Sequence, residues 1–121
     1  MAKLAGKEKT RIHLLSDTLD NNYGFVALSV SSFDRSYNRP SMIIDYIFTS
    51  RQYRGLKLAE LDNSTVFENL LEFTFQSALS IQKIIPLRFI ALQPANDRLA
   101  AHYQKKDFKP LENSDWMFLS I

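Results

Sequence analysis

The feature that most constrains the fold is an apolar run followed by a basic turn with one glycine. The run, MIIDYIF at residues 42–48, has the nearly continuous hydrophobicity of a strand buried in a sheet. The turn, RQYRGLKL, follows at residues 51–58 and leads into helix-forming sequence. A strand that ends in such a turn before a helix presents free backbone N–H groups and the positive end of a helix dipole. The pattern therefore predicts an anion site.

Three cations in this turn agree with an anion site. Arg51, Arg54 and Lys57 add mobile positive charge where a phosphate would need it. Basic residues are also common in solvated turns, so the turn could equally cap an ordinary strand. Both interpretations stay open on physical grounds alone.

Composition narrows the classes of function. The chain has 121 residues, of which 45% are apolar, so we expect one domain with a single core. It has no cysteine, which excludes disulfides, a thiolate nucleophile and cysteine-ligated zinc, and its two histidines lie far apart at positions 13 and 102. We therefore expect no metal site.

Net charge and hydropathy indicate which binding partners and which cellular location to expect for the protein. A formal net charge of +2 gives no strong indication of a polyanionic partner, so a nucleic acid would have to bind a local basic patch. No run of about 18 apolar residues is present, and the basic residues 1–9 are not followed by an apolar stretch. We expect a cytoplasmic protein without membrane association.

Periodicity and turn residues predict the order of the elements. Residues 1–10 are polar and basic, and we expect a disordered lead-in to one domain over residues 11–121. Strands are predicted at residues 11–15, 25–30, 42–48, 86–92 and 116–121, and helices at residues 66–82 and 97–106. The first two strands flank the turn cluster DTLDNN and should form a hairpin. The order is thus β-β-β-α-β-α-β.

The first helix has a defined start and a broad apolar face. Thr65 and Glu68 have the spacing of a capping box, in which each side chain bonds the backbone N–H of the other residue. The apolar residues at helical spacing, which should pack on the sheet, are Val66, Phe67, Leu70, Leu71, Phe73, Ala78 and Leu79.

A second motif lies around the second helix. Asn96 precedes this helix, Tyr103 follows seven positions later inside it, and Phe108 comes five positions after that. Together with the basic turn, this motif resembles the GNAT superfamily of acyl-CoA-dependent N-acetyltransferases. The family motif is Asn-x₆-Tyr-x₃-Gly-Phe, and Asp107 stands here where the family has glycine. Asp tolerates the left-handed conformation that such a glycine supplies.

The basic turn also matches a family motif. In GNAT proteins it reads Gln/Arg-x-x-Gly-x-Gly/Ala, and its backbone amides hold the pyrophosphate of coenzyme A. Gln52 and Gly55 match this pattern, whereas Lys57 replaces the final small residue and could either crowd the pyrophosphate or supply it with a cation.

The resemblance implies a fold, a reaction and a set of site residues. The fold would be an α/β (α+β) one, with a mixed, mostly antiparallel twisted sheet flanked by two helices. The reaction would transfer an acetyl group from acetyl-CoA, the implied co-substrate, to a primary amine by direct attack. The implied cofactor-binding residues are Phe48, Gln52, Tyr53, Arg54, Gly55, Leu56, Lys57 and Asn96. Tyr103 would be the catalytic residue, because a hydroxyl of high pKa can protonate the departing thiolate.

Several residues keep more than one interpretation. Tyr103 could simply pack on the sheet, and Asn96 could simply cap its helix, as Asn does in any fold. His102 should point to another face of the helix than Tyr103 and is expected at the surface. The candidates for a general base are Asp45, Glu60 and Glu72.

The resemblance also leaves partners and alternatives open. The opening strand and two helices of the family have no counterpart before Arg11, so the first strand should be an exposed edge and one sheet face should lack helices. We expect a homodimer, or a partner chain that completes the fold. One alternative function is a non-catalytic GNAT-like binding or assembly module. Another follows from the closing sequence, which resembles acetyltransferase toxins that modify aminoacyl-tRNA; the acceptor amine itself stays open.

Overall fold

The computed structural model describes residues 10–17, 19, 21–31, 40–112 and 114–121. The strands are β1 (Thr10–Ser16), β2 (Asn22–Ser31), β3 (Ser41–Thr49), β4 (Phe89–Leu92), β5 (Lys109–Pro110) and β6 (Met117–Ser120). The helices are α1 (Val66–Gln82) and α2 (Asp97–Lys105), and short 3₁₀ helices cover Arg51–Tyr53 and Ala59–Leu61. None of the helices in these ranges is long and apolar enough to cross a membrane.

The six strands form one sheet in the order β1-β2-β3-β4-β6-β5. Strands β3 and β4 are parallel, and every other pair of neighbours is antiparallel. This confirms the mixed, mostly antiparallel sheet with two helices. The predicted hairpin is the β1–β2 pair, and α1 spans the predicted residues with both hydrogen bonds of its capping box formed.

Several element predictions were wrong in detail; β2, for example, begins at Asn22 and not at Phe25. Thr10 belongs to β1, whereas residues 1–9 of the expected lead-in lie outside the described residues. Strand β4 begins at Phe89 and not at Pro86, because proline has no N–H to give to a strand ladder. Strand β5 was missed, since its two residues are too short to show a periodic pattern.

Both helices pack on the same face of the sheet. The main core joins Val66, Leu70 and Leu71 of α1 and Tyr103 of α2 to side chains from five strands. Two residues of the predicted apolar face of α1 do not belong to this core, because Phe73 is 41% exposed and Leu79 is 48% exposed. They lie at the edge of the helix–sheet contact, where the Phe73 ring meets the His13 ring of β1 with centroids 4.8 Å apart.

The opposite face of the sheet carries rows of apolar side chains. Strand pairing aligns Ile12 with Ala27 and Tyr46 in one row, and Leu14 with Phe25 and Phe48 in the next. Ile12, Leu14 and Tyr46 are 61%, 67% and 70% exposed. No residue of α1 or α2 joins the smaller core on this side, which is built around Ile43 and Ala91. In the described part of the chain, the expected face without helices is therefore present.

The turn between β1 and β2 folds around one carboxylate. Asp17 Oδ1 accepts the backbone N–H groups of Leu19 and Asn21, each at 2.9 Å. Asp17 Oδ2 accepts the Asn21 side-chain amide at 2.9 Å and the Tyr23 hydroxyl at 3.1 Å. The hydrogen bonds from Asn21 are the main reason that the pKa of Asp17 falls to about 2.

This lowered pKa predicts an acid-dependent contribution of Asp17 to stability. The folded state prefers the ionised carboxylate, so the contribution is present above about pH 3.8 and is lost as the pH falls towards 2. Asp17→Asn should have a lower Tm than the wild type at pH 7, and the difference should shrink steadily below pH 4. Thermal unfolding between pH 7 and pH 2 measures this.

Asp115→Asn is the matched control, because Asp115 is exposed and its side chain makes no hydrogen bond to any residue in the described ranges. Its Tm difference from the wild type should not shrink in the same way. A constant Tm difference for Asp17→Asn down to pH 2 would contradict the prediction.

Candidate functional site

The candidate site lies where the two parallel strands separate. Pairing of β3 with β4 runs from Ser41–Phe89 to Ile44–Leu92 and stops there, while β3 continues to Thr49. After Leu92 the chain leaves the sheet and enters α2. Crevices at the carboxyl ends of parallel strands are common ligand sites, because the strands on either side leave in different directions.

A β-bulge lies at the same point of β3. Ala27 pairs with Tyr46 and Leu28 pairs with Ile44, so Asp45 has no residue opposite it on β2. A bulge bends its strand and re-aims the side chains beyond it. Asp45 is exposed and marks where β3 leaves β4.

The basic turn that follows β3 offers unpaired backbone donors. Of residues 51–57 only Tyr53 is half-buried, and the others are exposed. The backbone N–H groups of Arg51, Gln52, Gly55 and Lys57 donate to no described residue. Gly55 has a φ of +73°, and a Cβ there would meet nothing within 4 Å. The turn therefore presents free N–H groups and exposed cations together.

Arg54 and Phe48 form the junction between the strand and the turn. The Arg54 Nε–H donates to the Thr49 carbonyl oxygen at 3.0 Å, and its guanidinium carbon lies 5.5 Å from the centroid of the Phe48 ring. Phe48 in turn stacks on Phe25, with centroids 5.4 Å apart. These contacts hold the Arg54 charge close to the end of β3.

The amino end of α1 is capped by the side chains of Thr65 and Glu68. Thr65 Oγ1 accepts the Glu68 N–H at 3.1 Å, and Glu68 Oε1 accepts the Thr65 N–H at 3.0 Å. Glu68 Oε2 also lies 3.3 Å from the Lys106 ammonium, and the bond to the Thr65 N–H is the main cause that lowers the pKa of Glu68. Residues 56–65 separate Gly55 from this helix end. The capping box thus satisfies two of the N–H groups at this helix end, whereas those of Val66 and Phe67 donate to no described residue.

Tyr103 combines a buried ring with an accessible hydroxyl. The residue is 2% exposed, and its ring lies 5.5 Å from both the Phe67 and the Phe108 rings. Its hydroxyl bonds to no described residue; since no fully buried side-chain oxygen in the described ranges lacks a partner, this hydroxyl reaches solvent. Burial raises the pKa of Tyr103 to about 12, so the group carries its proton at neutral pH.

Asn96 caps α2 at the same edge of the sheet. Its Oδ1 accepts the Leu99 N–H at 2.8 Å, so the capping interpretation is observed directly. Asn96 also lines a cavity of about 640 Å³ together with Gln104 and Trp116. None of the basic-turn residues lines this cavity.

The remaining candidates are exposed. Asp45, Glu60, Glu72 and His102 all lie at the surface, as expected for His102. Glu72 accepts a hydrogen bond from the Gln76 side chain at 2.8 Å. Within the described residues, no group of His, Asp and Glu side chains could hold a metal ion.

Sequence reasoning missed two features of the surface. The first is a mainly apolar groove of about 660 Å³ between β1 and α1, lined in part by Arg11, His13 and Phe73. It also borders Val30 and Met42, so it lies at the end of the sheet away from the basic turn. The second is the contact of the start of β2 with the basic turn, between the rings of Tyr23 and Tyr53, which joins residues far apart in sequence and has no sequence signal.

Comparisons with known proteins give matches among solved structures only. No protein-family model and no curated protein matches the sequence. A KacTA–DNA complex matches with a TM-score of 0.76 and 21% identity, over 93% of this chain and 69% of the other. A mutant AtaT toxin bound to the C-terminus of the antitoxin AtaR and acetyl-CoA matches with a TM-score of 0.80 and 17% identity, over 99% and 73%.

A third structure extends the comparison. AtaT complexed with acetyl-methionyl-tRNAfMet matches with a TM-score of 0.79 and 16% identity, over 98% of this chain and 75% of the other. At these identities the similarity is one of fold. It shows that the chain has the fold of these toxins, the GNAT fold.

Proposed function

Starting from the GNAT fold, we propose that the chain is an acetyl-CoA-dependent N-acetyltransferase that acetylates a primary amine by direct attack. The observation that carries this proposal is the set of unpaired N–H groups in residues 51–57, beside exposed cations and at the open ends of β3 and β4. Such donors suit the pyrophosphate of coenzyme A. Solved GNAT-fold neighbours bound to acetyl-CoA support this ligand.

The proposed cofactor contacts divide between the turn and α2. Backbone groups of Gln52, Gly55 and Lys57 would bind the pyrophosphate, and the Arg54 and Lys57 side chains would add charge. The ring of Phe48, with Tyr53 and Leu56, would flank the nucleotide, and Asn96 would face the pantetheine arm, as the resemblance implies. Lys57 is exposed, so its side chain can turn away from the bound phosphates.

Tyr103 is the proposed proton donor. The amine nitrogen attacks the acetyl carbonyl carbon, the carbon–sulfur bond breaks, and the leaving sulfur takes the proton of the Tyr103 hydroxyl. The nitrogen loses its extra proton to a base, for which we take Asp45, at the bulge where β3 leaves β4, as the candidate. The accessible Tyr103 hydroxyl and its raised pKa support this role.

The proposed acceptor is the amino group of an aminoacyl-tRNA. The AtaT structure with acetyl-methionyl-tRNAfMet shows a product of this kind bound to a protein of the same fold. Arg51, which is exposed and is not assigned to the pyrophosphate, would add positive charge for the nucleic acid. We place this reaction in the cytoplasm. An antitoxin-like chain is a further proposed partner, because AtaT is solved with the C-terminus of AtaR.

A second function has specific support. The capping box satisfies two of the N–H groups at the helix end that the anion-site pattern relied on, and Lys57 occupies the position of a small residue. Both features favour a non-catalytic binding or assembly module. Thermal shift separates the two functions, since acetyl-CoA at about 100 times its Kd should stabilise the fold by about 2.7 kcal/mol.

Substitution of Gly55 tests the phosphate site. Gly55→Val should abolish coenzyme A binding in titration calorimetry, because a β-branched residue disfavours the left-handed φ of +73° and its side chain covers the amides. Gly55→Asn is the matched variant, since Asn tolerates this conformation, and it should lose less affinity. Arg54→Ala should weaken binding moderately and reduce its salt dependence. Wild-type affinity in Gly55→Val would refute the assignment.

Tyr103→Phe tests the proton donor. The ring packing is kept and only the hydroxyl is lost, so kcat should fall about 10²-fold while acetyl-CoA affinity stays the same. Release of the coenzyme A thiol with methionyl-tRNA as acceptor measures turnover. Tyr46→Phe, at an exposed position, is the control and should keep wild-type kcat. An unchanged kcat in Tyr103→Phe would leave Tyr103 a packing residue.

The apolar sheet face supports a homodimer in which a second copy covers the Ile12–Tyr46 and Leu14–Phe48 rows. Light scattering should then give a mass of twice 14.0 kDa that resists dilution. Tyr46→Glu should convert the protein to a monomer, whereas Ile84→Glu should not, because the 86% exposed Ile84 lies beyond α1 and away from this face. A stable wild-type monomer would rule out the dimer, and aggregation would favour a separate partner chain.

A further inference from the structure

The basic turn has few points of attachment to the rest of the protein. Within residues 51–57 only Tyr53 is half-buried, and it packs on the main core. Just before the turn, Ser50 is also half-buried. Besides the Arg54 contacts with Thr49 and Phe48, the position of the turn therefore depends on the groups that hold Ser50 and Tyr53.

Ser50 and Tyr53 are both held by the start of β2. The Ser50 N–H donates to the Tyr23 carbonyl oxygen at 2.8 Å, and the Ser50 hydroxyl donates to the Asn22 carbonyl oxygen at 2.9 Å. The Tyr23 ring meets the Tyr53 ring edge to face, with centroids 4.8 Å apart and planes at 73°. Tyr23 thus contacts the turn through both its backbone and its ring.

A second bulge gives Tyr23 this orientation. Leu15 pairs with Gly24 and Ser16 pairs with Asn22, so Tyr23 has no residue opposite it on β1. Its side chain joins the main core on the helix-covered side and is 3% exposed. A bulge that re-aims one side chain at a ligand-binding loop is a recurrent device in sheets.

The far end of the Tyr23 side chain is fixed by the β1–β2 turn. Its hydroxyl donates to Asp17 Oδ2 at 3.1 Å, and Asp17 is itself held by Asn21 and Leu19. A hydrogen bond to an ionised carboxylate is stronger than a neutral one. A continuous chain of contacts therefore runs from the Asp17 carboxylate through the Tyr23 phenol to the Tyr53 ring.

We propose that Asp17 and Tyr23 are positioning residues for coenzyme A, which hold the basic turn in its ligand-binding conformation without touching the ligand. This inference rests on the proposed function of the turn. If the hydroxyl bond is removed, the turn should adopt this conformation less often. If the turn adopts this conformation a tenth of the time, the apparent Kd for coenzyme A should rise about tenfold.

Tyr23→Phe is the direct test, because it keeps the ring and removes only the hydroxyl. Calorimetric titration with coenzyme A should show about tenfold weaker binding, with the salt dependence of the wild type because all the cations remain. The KM for acetyl-CoA should rise while kcat stays unchanged. Tyr103→Phe should do the opposite, lowering kcat while the affinity for acetyl-CoA stays the same. Asp17→Asn, which keeps the shape of the side chain, should change affinity in the same direction.

Tyr46→Phe is the control and should bind coenzyme A like the wild type. Wild-type affinity in both Tyr23→Phe and Asp17→Asn would overturn the inference, as would a weaker affinity accompanied by an equal fall in kcat. The test also separates this inference from the proposed function. If the wild-type chain binds no coenzyme A, the proposed function fails; if the wild type binds and the variants match it, only the positioning role fails.

Discussion

The arrangement of the molecule depends on one parallel pairing, that of β3 with β4, in an otherwise antiparallel sheet. Two parallel strands cannot be joined by a short hairpin and need a crossover connection, which here contains α1. Their carboxyl ends point to the same edge of the sheet, with the basic turn following β3 and α2 following β4. Without this pair there would be no crevice for a ligand.

Local sequence signals predicted the structure well where the partners are close in sequence. The capping box of Thr65 and Glu68, the β1–β2 hairpin and the left-handed Asp107, with a φ of 74°, all needed only neighbouring residues. The exposure of Phe73 and the contacts of Tyr23 with Asp17 and Tyr53 could not be predicted in this way. Both depend on which strand lies beside the residue, and that is decided by the tertiary fold.

In the candidate site, too, some features follow from neighbouring residues and others depend on the tertiary fold. Glycine and basic residues identified the turn, and its unpaired amides agree with that hypothesis. The sequence also indicated a helix end beside them, and here two local signals competed. Thr65 and Glu68 satisfy their own two N–H groups at the amino end of α1, whereas those of Val66 and Phe67 donate to no described residue. In the turn, the N–H groups of Gln52, Gly55 and Lys57 likewise donate to no described residue and remain accessible to a ligand.

The bulge at Asp45 determines which residues of β3 are presented to the surface. Met42 and Ile44 face the helices, and regular alternation would place Tyr46 and Phe48 on that same side. The extra residue reverses the alternation, so Ile47 joins the core while Tyr46 and Phe48 align with the rows on the opposite face. The aromatic character of that face therefore depends on the bulge, which shifts the alternation of side chains beyond Asp45 by one residue. Removal of Asp45 would abolish the bulge but leave both sets of side chains on their present faces, because Ile44 and Tyr46 would then be neighbours in a regular alternation.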